Sequence, residues 1–119
     1  MRLQFGVDVP ADTVAPYVLL MIDGGTFMHM IGTNAMSYMT NVRKVKPYPI
    51  KTAGGIIWLD TLADLVVSGH VFKGCLVNPH IDTSLLSQGT MAMTEGWEFV
   101  HALRVGGLQI TDPIGQVEL

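Results

Sequence analysis

The residues best placed to do chemistry are Asp23 and the three that follow it, Gly24, Gly25 and Thr26. An apolar run, Val18 to Ile22, leads straight into the acid, and a second apolar stretch, broken by His29, lasts to Ile31. An apolar run bounded by a turn signal predicts a buried strand, here with a carboxylate carried out of the core at its end. A carboxylate is costly to ionise in apolar surroundings unless it is bonded, so an acid at this place is either a turn cap or a site for acid–base chemistry. Asp-Gly is also a strong hairpin signal, because glycine accepts positive φ and aspartate bonds the nearby backbone. The local pattern supports both readings.

Other reactive side chains make weaker candidates. Cys75 precedes Leu76 and Val77 and reads as a small core residue before it reads as a nucleophile. Ser84 and Ser87 lack a His–Asp partnership, and a serine-hydrolase elbow needs glycine two residues away on each side. The four histidines, His29, His70, His80 and His101, show no metal-ligand spacing, so neither a metal nor another cofactor is expected. His29 reads as a structural hydrogen-bonder. Met28, Met30, Met36 and Met39 read as gap fillers.

The elements that must position Asp23 are short strands. Glycine and proline punctuate the chain at short intervals, with β-branched and aromatic residues between them, which predicts an all-β domain. Leu3–Val9 alternates and reads as a half-exposed strand, and 10–16 as a connection. Tyr17–Ile22 is the central strand, and Phe27–Gly32 another. Asn34–Tyr38 is a loop or one helical turn. Pro47 and Pro49 bar their segment from a sheet centre, leaving Tyr48–Lys51 as an edge strand. It leads through Thr52-Ala53-Gly54-Gly55 into Ile56–Leu59, a hairpin with a glycine-rich tip. Leu62–Val67 and His70–Val77 are further strands split by Ser68-Gly69. Thr83 or Ser87 could cap the one real helix, placed at Ser87–Glu95 with Gly96 as its stop. Trp97–Leu103, Leu108–Ile110 and a terminal segment from Gln116 complete the strands.

Composition bounds the partners. A chain of 119 residues reads as a single domain, 1–119. It is 49% hydrophobic and 14% charged, whereas a typical soluble domain carries about 25% charged residues. That shortfall favours an extra buried surface such as an oligomer interface. A net charge of −3 argues against a nucleic-acid or anionic-membrane partner, although Arg43, Lys44, Lys46 and Lys51 cluster locally. One cysteine excludes an internal disulfide and suits a reducing compartment. No apolar run approaches the roughly 20 residues of a membrane span, and the expectation is a soluble, cytoplasmic chain.

Taken in order, an apolar strand ending in Asp23-Gly24-Gly25-Thr26, His29-Met30, a Gly-Gly hairpin tip and a Leu85-Leu86-Ser87 step into a helix resemble the copia-type retrotransposon aspartic proteases, which are retropepsin-like. Thr52-Ala53-Gly54-Gly55 is similar to that family's Ala-Asp-Gly turn. Cys75 to Ser87, continuing to Gly96-Trp97-Glu98-Phe99, is similar to its strand, proline turn, Asn-Leu-Leu-Ser step and helix. Ile110 to Gly115 echoes its Ile, Asp and Gly spacing. Two positions depart from the pattern: Gly24 stands where the family has Ser or Thr, whose hydroxyl bonds across the dimer, and Gly54 replaces an acid.

The resemblance implies an all-β fold with one short helix, a retropepsin-like closed barrel with one lobe per chain. It implies an aspartic endopeptidase that matures a retrotransposon-type polyprotein in the cytoplasm or within retrotransposon particles. Two carboxylates sharing one proton are required, one as base on a water and one as acid toward the carbonyl oxygen. The chain has one Asp-Gly-Gly, and its other aspartates lack that context, so the site requires Asp23 from each subunit of a homodimer. Gly24, Gly25 and Thr26 form the active-site loop. Thr52, Ala53, Gly54, Gly55 and Ile56 form a flap over an extended peptide substrate, and Leu85, Leu86 and Ser87 support the site. The alternative is a catalytically degenerate relative that kept the fold for peptide binding or dimerisation.

Overall fold

In a computed structural model the chain is described at residues 2–6, 17–102, 107–114 and 117–118. Strand β1 (Arg2–Gly6) pairs antiparallel with β2 (Tyr17–Asp23). The short β3 (Met30–Ile31) and a 3-10 helix (Thr33–Tyr38) lead into the long hairpin of β4 (Met39–Thr52) and β5 (Gly55–Val67). Then come β6 (His70–Val77), β7 (Ser84–Ser87) and helix α1 (Gln88–Thr94). The chain ends in β8 (Glu98–Ala102), β9 (Gly107–Thr111) and β10 (Val117–Glu118).

Seven strands form one sheet in the order β1-β2-β7-β3-β6-β5-β4, and β10-β9-β8 form a second. The chain is therefore mostly β with one short helix. The larger sheet has β1 and β4 at its edges, and no pairing among the described residues closes it into the expected barrel.

Strand β7 is the element that organises the sheet. It lies between β2 and β3, which the sequence would join as neighbours, pairing parallel with β2 and antiparallel with β3. Asp-Gly therefore does not close a simple hairpin here. Polar groups seat the insert: Asn34 Oδ1 accepts from both the N–H and the hydroxyl of Ser84, and Asn34 Nδ2 donates to the Leu19 carbonyl. The Gly32 N–H donates to Ser84 Oγ at 2.8 Å. Ser84 and Gly32 are buried, and their polar groups would cost free energy if left without a partner.

Alternation sorts β5 into two faces. Leu59, Ala63, Leu65 and Val67 are buried, whereas Ile56, Trp58, Asp60 and Val66 are exposed. The main core gathers Val18, Leu20 and Ile22 of β2 with Ile31, Leu65, Phe72 and Leu86. Burying each large apolar side chain contributes about 1.5–3 kcal/mol. Trp97 stacks on Phe72 with ring centroids 6.0 Å apart, and Ile110 of β9 joins the same core, so the second sheet packs on the first. A smaller cluster of Met30, Leu59 and Leu76 takes in Met28, Ile50, Ile57 and Leu85. Ile50 and Ile57 face each other two residues short of the hairpin tip, so this cluster holds the tip end of the hairpin against β3, β6 and β7.

The strand boundaries differ from expectation at several points. Ile56–Leu59 and Leu62–Val67 are one continuous strand, because Asp60 and Thr61 sit across from Lys44 and bond its ammonium instead of turning. Tyr48–Lys51 is the end of a longer strand beginning at Met39, and it is indeed an edge. Register breaks absorb the irregular sequence of this hairpin. Asp64 sits at two of them, with Oδ1 accepting from the Gly74 N–H and Oδ2 from Asn41 Nδ2. Gly74 (φ 66°) and Asn41 (φ 51°) both occupy the left-handed region that such bulges require. The Gly74 N–H, with lesser help from Asn41 and Arg43, holds the Asp64 carboxyl below its ordinary pKa. Of Phe27–Gly32 only Met30 and Ile31 are strand, and the Ser84–Ser87 segment, not expected to be one, is β7. Asn34–Tyr38 falls within the 3-10 helix, and α1 starts one residue after Ser87, its N-cap. The expected connection at 10–16 and the Gly106 side of the turn before β9 lie outside the described residues.

Gly32 has no room for a side chain, since a Cβ there would lie 2.9 Å from the Ile81 carbonyl oxygen. Gly32→Ala is expected to lower unfolding free energy by about 1–3 kcal/mol through overpacking against backbone. Urea denaturation checks this, and an unchanged midpoint would show that β3 and β7 tolerate separation.

Candidate active site

Asp23 is the last residue of β2 and lies opposite Ser87, the last residue of β7. Beyond it the chain turns so that both carboxylate oxygens are bonded locally. Oδ1 accepts from the Gly25 N–H at 2.8 Å, and Oδ2 accepts from the Thr26 hydroxyl at 2.9 Å. The Gly25 N–H and then the Thr26 hydroxyl hold the Asp23 carboxyl below its ordinary pKa, since both bonds favour the charged form. The acid is only half-buried and keeps an open side.

The two glycines differ in their surroundings. A Cβ at Gly25 would lie 3.4 Å from Asp23 Oδ1, in van der Waals contact with the carboxylate itself. A Cβ at Gly24 would meet nothing nearer than Gln88 Oε1 at 3.7 Å. Position 24 therefore has space for a hydroxyl-bearing side chain, while Thr26 spends its own hydroxyl on Asp23.

The wall behind the acid is the β7–α1 junction. Ser87 caps α1 by accepting from the Thr90 N–H, and the Thr90 hydroxyl donates to the Phe27 carbonyl in the Asp23 loop. His29 is buried, with Nδ1 accepting from the Ser87 N–H at 2.9 Å and Nε2 2.7 Å from Glu95 Oε1. Leu86 is fully buried in the main core, and Leu85 is half-buried in the smaller cluster. The support residues Leu85, Leu86 and Ser87 thus stand beside Met21, Ile22 and Asp23 in register.

A cavity of about 260 Å³ opens beside the loop, lined by Gly24, Thr26, Phe27, Ser87, Thr90 and Met93 among others. Phe27 is 67% and Met93 85% exposed, so an apolar surface stands open next to the acid. The expected flap residues Thr52, Ala53, Gly54, Gly55 and Ile56 form the exposed tip of the long hairpin. Its hydrogen bonds are internal: the Thr52 hydroxyl donates to the Gly55 carbonyl and accepts from the Gly54 N–H. Gly55, at φ 121°, is the tip position that demands glycine. The tip and the Asp23 loop share no hydrogen bond among those of the described residues, and the hairpin meets the support of the site through Ile50 and Ile57, next to the tip, in the cluster that also takes in Leu85.

Thr90 and Glu95 are the site residues that sequence reading missed. The Ser87–Thr90 spacing of an N-cap was available, but nothing in sequence ties Glu95 to His29. Cys75 is no competitor for chemistry: burial, the largest influence, pushes its thiol up to about 12, and Sγ lies 3.1 Å from the Phe72 carbonyl oxygen. Among the described residues no group of three His, Cys, Asp or Glu side chains converges as metal ligands would. No helix among them is long and apolar enough to cross a membrane. No protein-family model matches the chain, and no curated protein matches it significantly.

Because folding lowers the Asp23 pKa, its two bonds add stability that is complete above the unfolded carboxylate pKa and lost as pH falls through the lowered value. Thr26→Val removes one donor, so the Asp23 titration followed by carboxyl-carbon NMR is expected to move up. A titration that stays in place would show that the hydroxyl does not hold the acid.

Proposed function

We propose that the chain is one subunit of a homodimeric, retropepsin-like aspartic endopeptidase of the copia retrotransposon type, processing the polyprotein that contains it. The observation that carries this reading is Asp23 itself, a half-open carboxylate at the end of a buried strand with the Gly25 N–H and Thr26 hydroxyl on its two oxygens. The open apolar surface of Phe27 and Met93 beside it supplies a face for the second copy.

Two Asp23 carboxylates brought together would split their titrations, because like charges at short range cannot both ionise. The bonds from Gly25 and Thr26 favour the first ionisation, and the resulting charge holds the second proton in place. In catalysis the ionised acid takes a proton from water as the water oxygen bonds to the peptide carbonyl carbon. The protonated acid gives its hydrogen to the carbonyl oxygen. The adduct collapses when the first acid protonates the departing nitrogen, the C–N bond breaks, and the second acid recovers its proton. The substrate would lie as an added strand beneath the hairpin tip, whose closure excludes water.

A second reading rests on Gly24. Without a hydroxyl there, the loop lacks the family's bond across the dimer, as in a degenerate module that binds extended peptides without cleaving them. Asp23→Asn is expected to lower cleavage of a peptide pool or precursor at acid pH by at least about a thousandfold, with the melting temperature unchanged. Equal cleavage by the variant would remove Asp23 from the chemistry. Gly24→Ser fits the space at that position and is expected to raise activity or tighten the dimer in sedimentation. Peptide binding with no turnover in either form would favour the degenerate module.

A further inference from the structure

We infer that His29 is a positioning residue for Asp23, fixing both ends of α1 against the acid's strand through one ring. This rests on the endopeptidase reading for its catalytic consequence, though not for its geometry. The Ser87 N–H can only donate, so Nδ1 of His29 is the acceptor and the ring proton sits on Nε2, facing Glu95 Oε1 at 2.7 Å. Ser87 immediately precedes α1 and Glu95 immediately follows it. A single rigid ring thereby sets where the helix begins and where it stops.

The ring is itself immobilised. It is 1% exposed, it meets Phe72 edge-on at 5.4 Å, and the His29 carbonyl accepts from the Leu76 N–H of β6 at 2.8 Å. What it holds is next to the acid: Ser87 is the register partner of Asp23, and Thr90 one turn on reaches back to the Phe27 carbonyl. His29 never touches the carboxylate. It acts through Ser87, whose place decides how β7 lies beside the end of β2 and so how the Gly25 N–H and Thr26 hydroxyl meet the acid.

The requirement for histidine is geometric. An acceptor and a donor must point from opposite sides of a buried group toward a fixed N–H and a fixed carboxylate. Asn can reproduce the acceptor near Nδ1, and Gln can reproduce the donor near Nε2, but neither does both. The two substitutions therefore separate the Ser87 bond from the Glu95 bond.

The test compares His29→Asn, His29→Gln, Glu95→Ala and Glu95→Gln in the full chain. Its readouts are amide hydrogen exchange at Ser87, the Asp23 titration by NMR, and kcat and KM on a cleaved peptide. His29→Gln is expected to speed Ser87 exchange at least about tenfold, move the Asp23 titration up, and lower kcat with KM little changed. His29→Asn is expected to keep Ser87 protected and kcat within about threefold. Glu95→Ala, which leaves the Ser87 donor in place but frees the ring, is expected to resemble His29→Gln more weakly, with Glu95→Gln restoring wild-type behaviour. This pair keeps the test alive should His29→Gln fail to fold. If the variants lose stability while the Asp23 titration and kcat stay put, His29 is a packing residue and the inference falls. If the unmodified chain cleaves nothing, the endopeptidase reading fails alone, and exchange at Ser87 with the Asp23 titration still decides the role of His29.

Discussion

The whole arrangement depends on a four-residue strand held on both sides. Strand β7 has neither length nor β-branched residues to be stable by itself, and it persists because β2 and β3 satisfy its backbone from opposite flanks. The two flanking strands differ in direction, so β7 runs parallel to one and antiparallel to the other. Asp23 and Ser87 therefore end side by side at the same end of their strands, one followed by the loop and the other by the helix. The acid is placed by chain topology, and the loop chemistry then refines the position.

That placement separates two tasks which a single carboxylate would otherwise combine. The side toward Gly25 and Thr26 supplies fixed dipoles that favour charge, while the opposite side stays open. Behind the loop, Leu85 and Leu86 face different apolar clusters, so β7 is gripped from above and below as well as from its edges. The smaller cluster also carries Ile50, Ile57 and Leu59 from the long hairpin, which packs the stretch next to the hairpin tip against the support of the acid. Its tip, with only local hydrogen bonds and Gly55 at positive φ, is the part left free to bend.

What could be read from the sequence was local, and what escaped it was pairing. The Ser87 cap, the Gly96 stop (φ 78°) and the Ser68-Gly69 turn, with both residues at positive φ, follow from side-chain chemistry within a few residues. Strand β7 escaped because Ser-Leu-Leu-Ser has no strand propensity of its own, and its identity comes from two partners far along the chain. Asp60-Thr61 suggested a break in β5 because polar pairs often mark turns, yet within a paired strand they only need a neighbour such as Lys44. The Asp64 bulges and the His29–Glu95 pair join residues whose separation no pattern encodes. The closed barrel was an expectation of the family resemblance alone, and the described strands leave both edges of the main sheet open.

The same bookkeeping of partners bears on the proposed dimer. A carboxylate whose hydrogen bonds favour charge stays ionised and carries no proton to give, so amide hydrolysis needs a second acid with a reason to keep its proton. Among the described residues, four other acids are committed elsewhere. Asp60 bonds Lys44, Asp64 bonds Gly74 and Asn41, and Asp112 is buried against His70 and the Ile114 N–H. Glu95 is taken by His29 on the far side of the β7–α1 wall. A partner whose proton is held only by the charge of its neighbour must otherwise resemble that neighbour, since any group with its own desolvation or ion pairing would titrate on its own terms. A second copy of Asp23 meets that condition without further machinery, and the uncovered apolar residues around Gly24 are where such a copy would have to come.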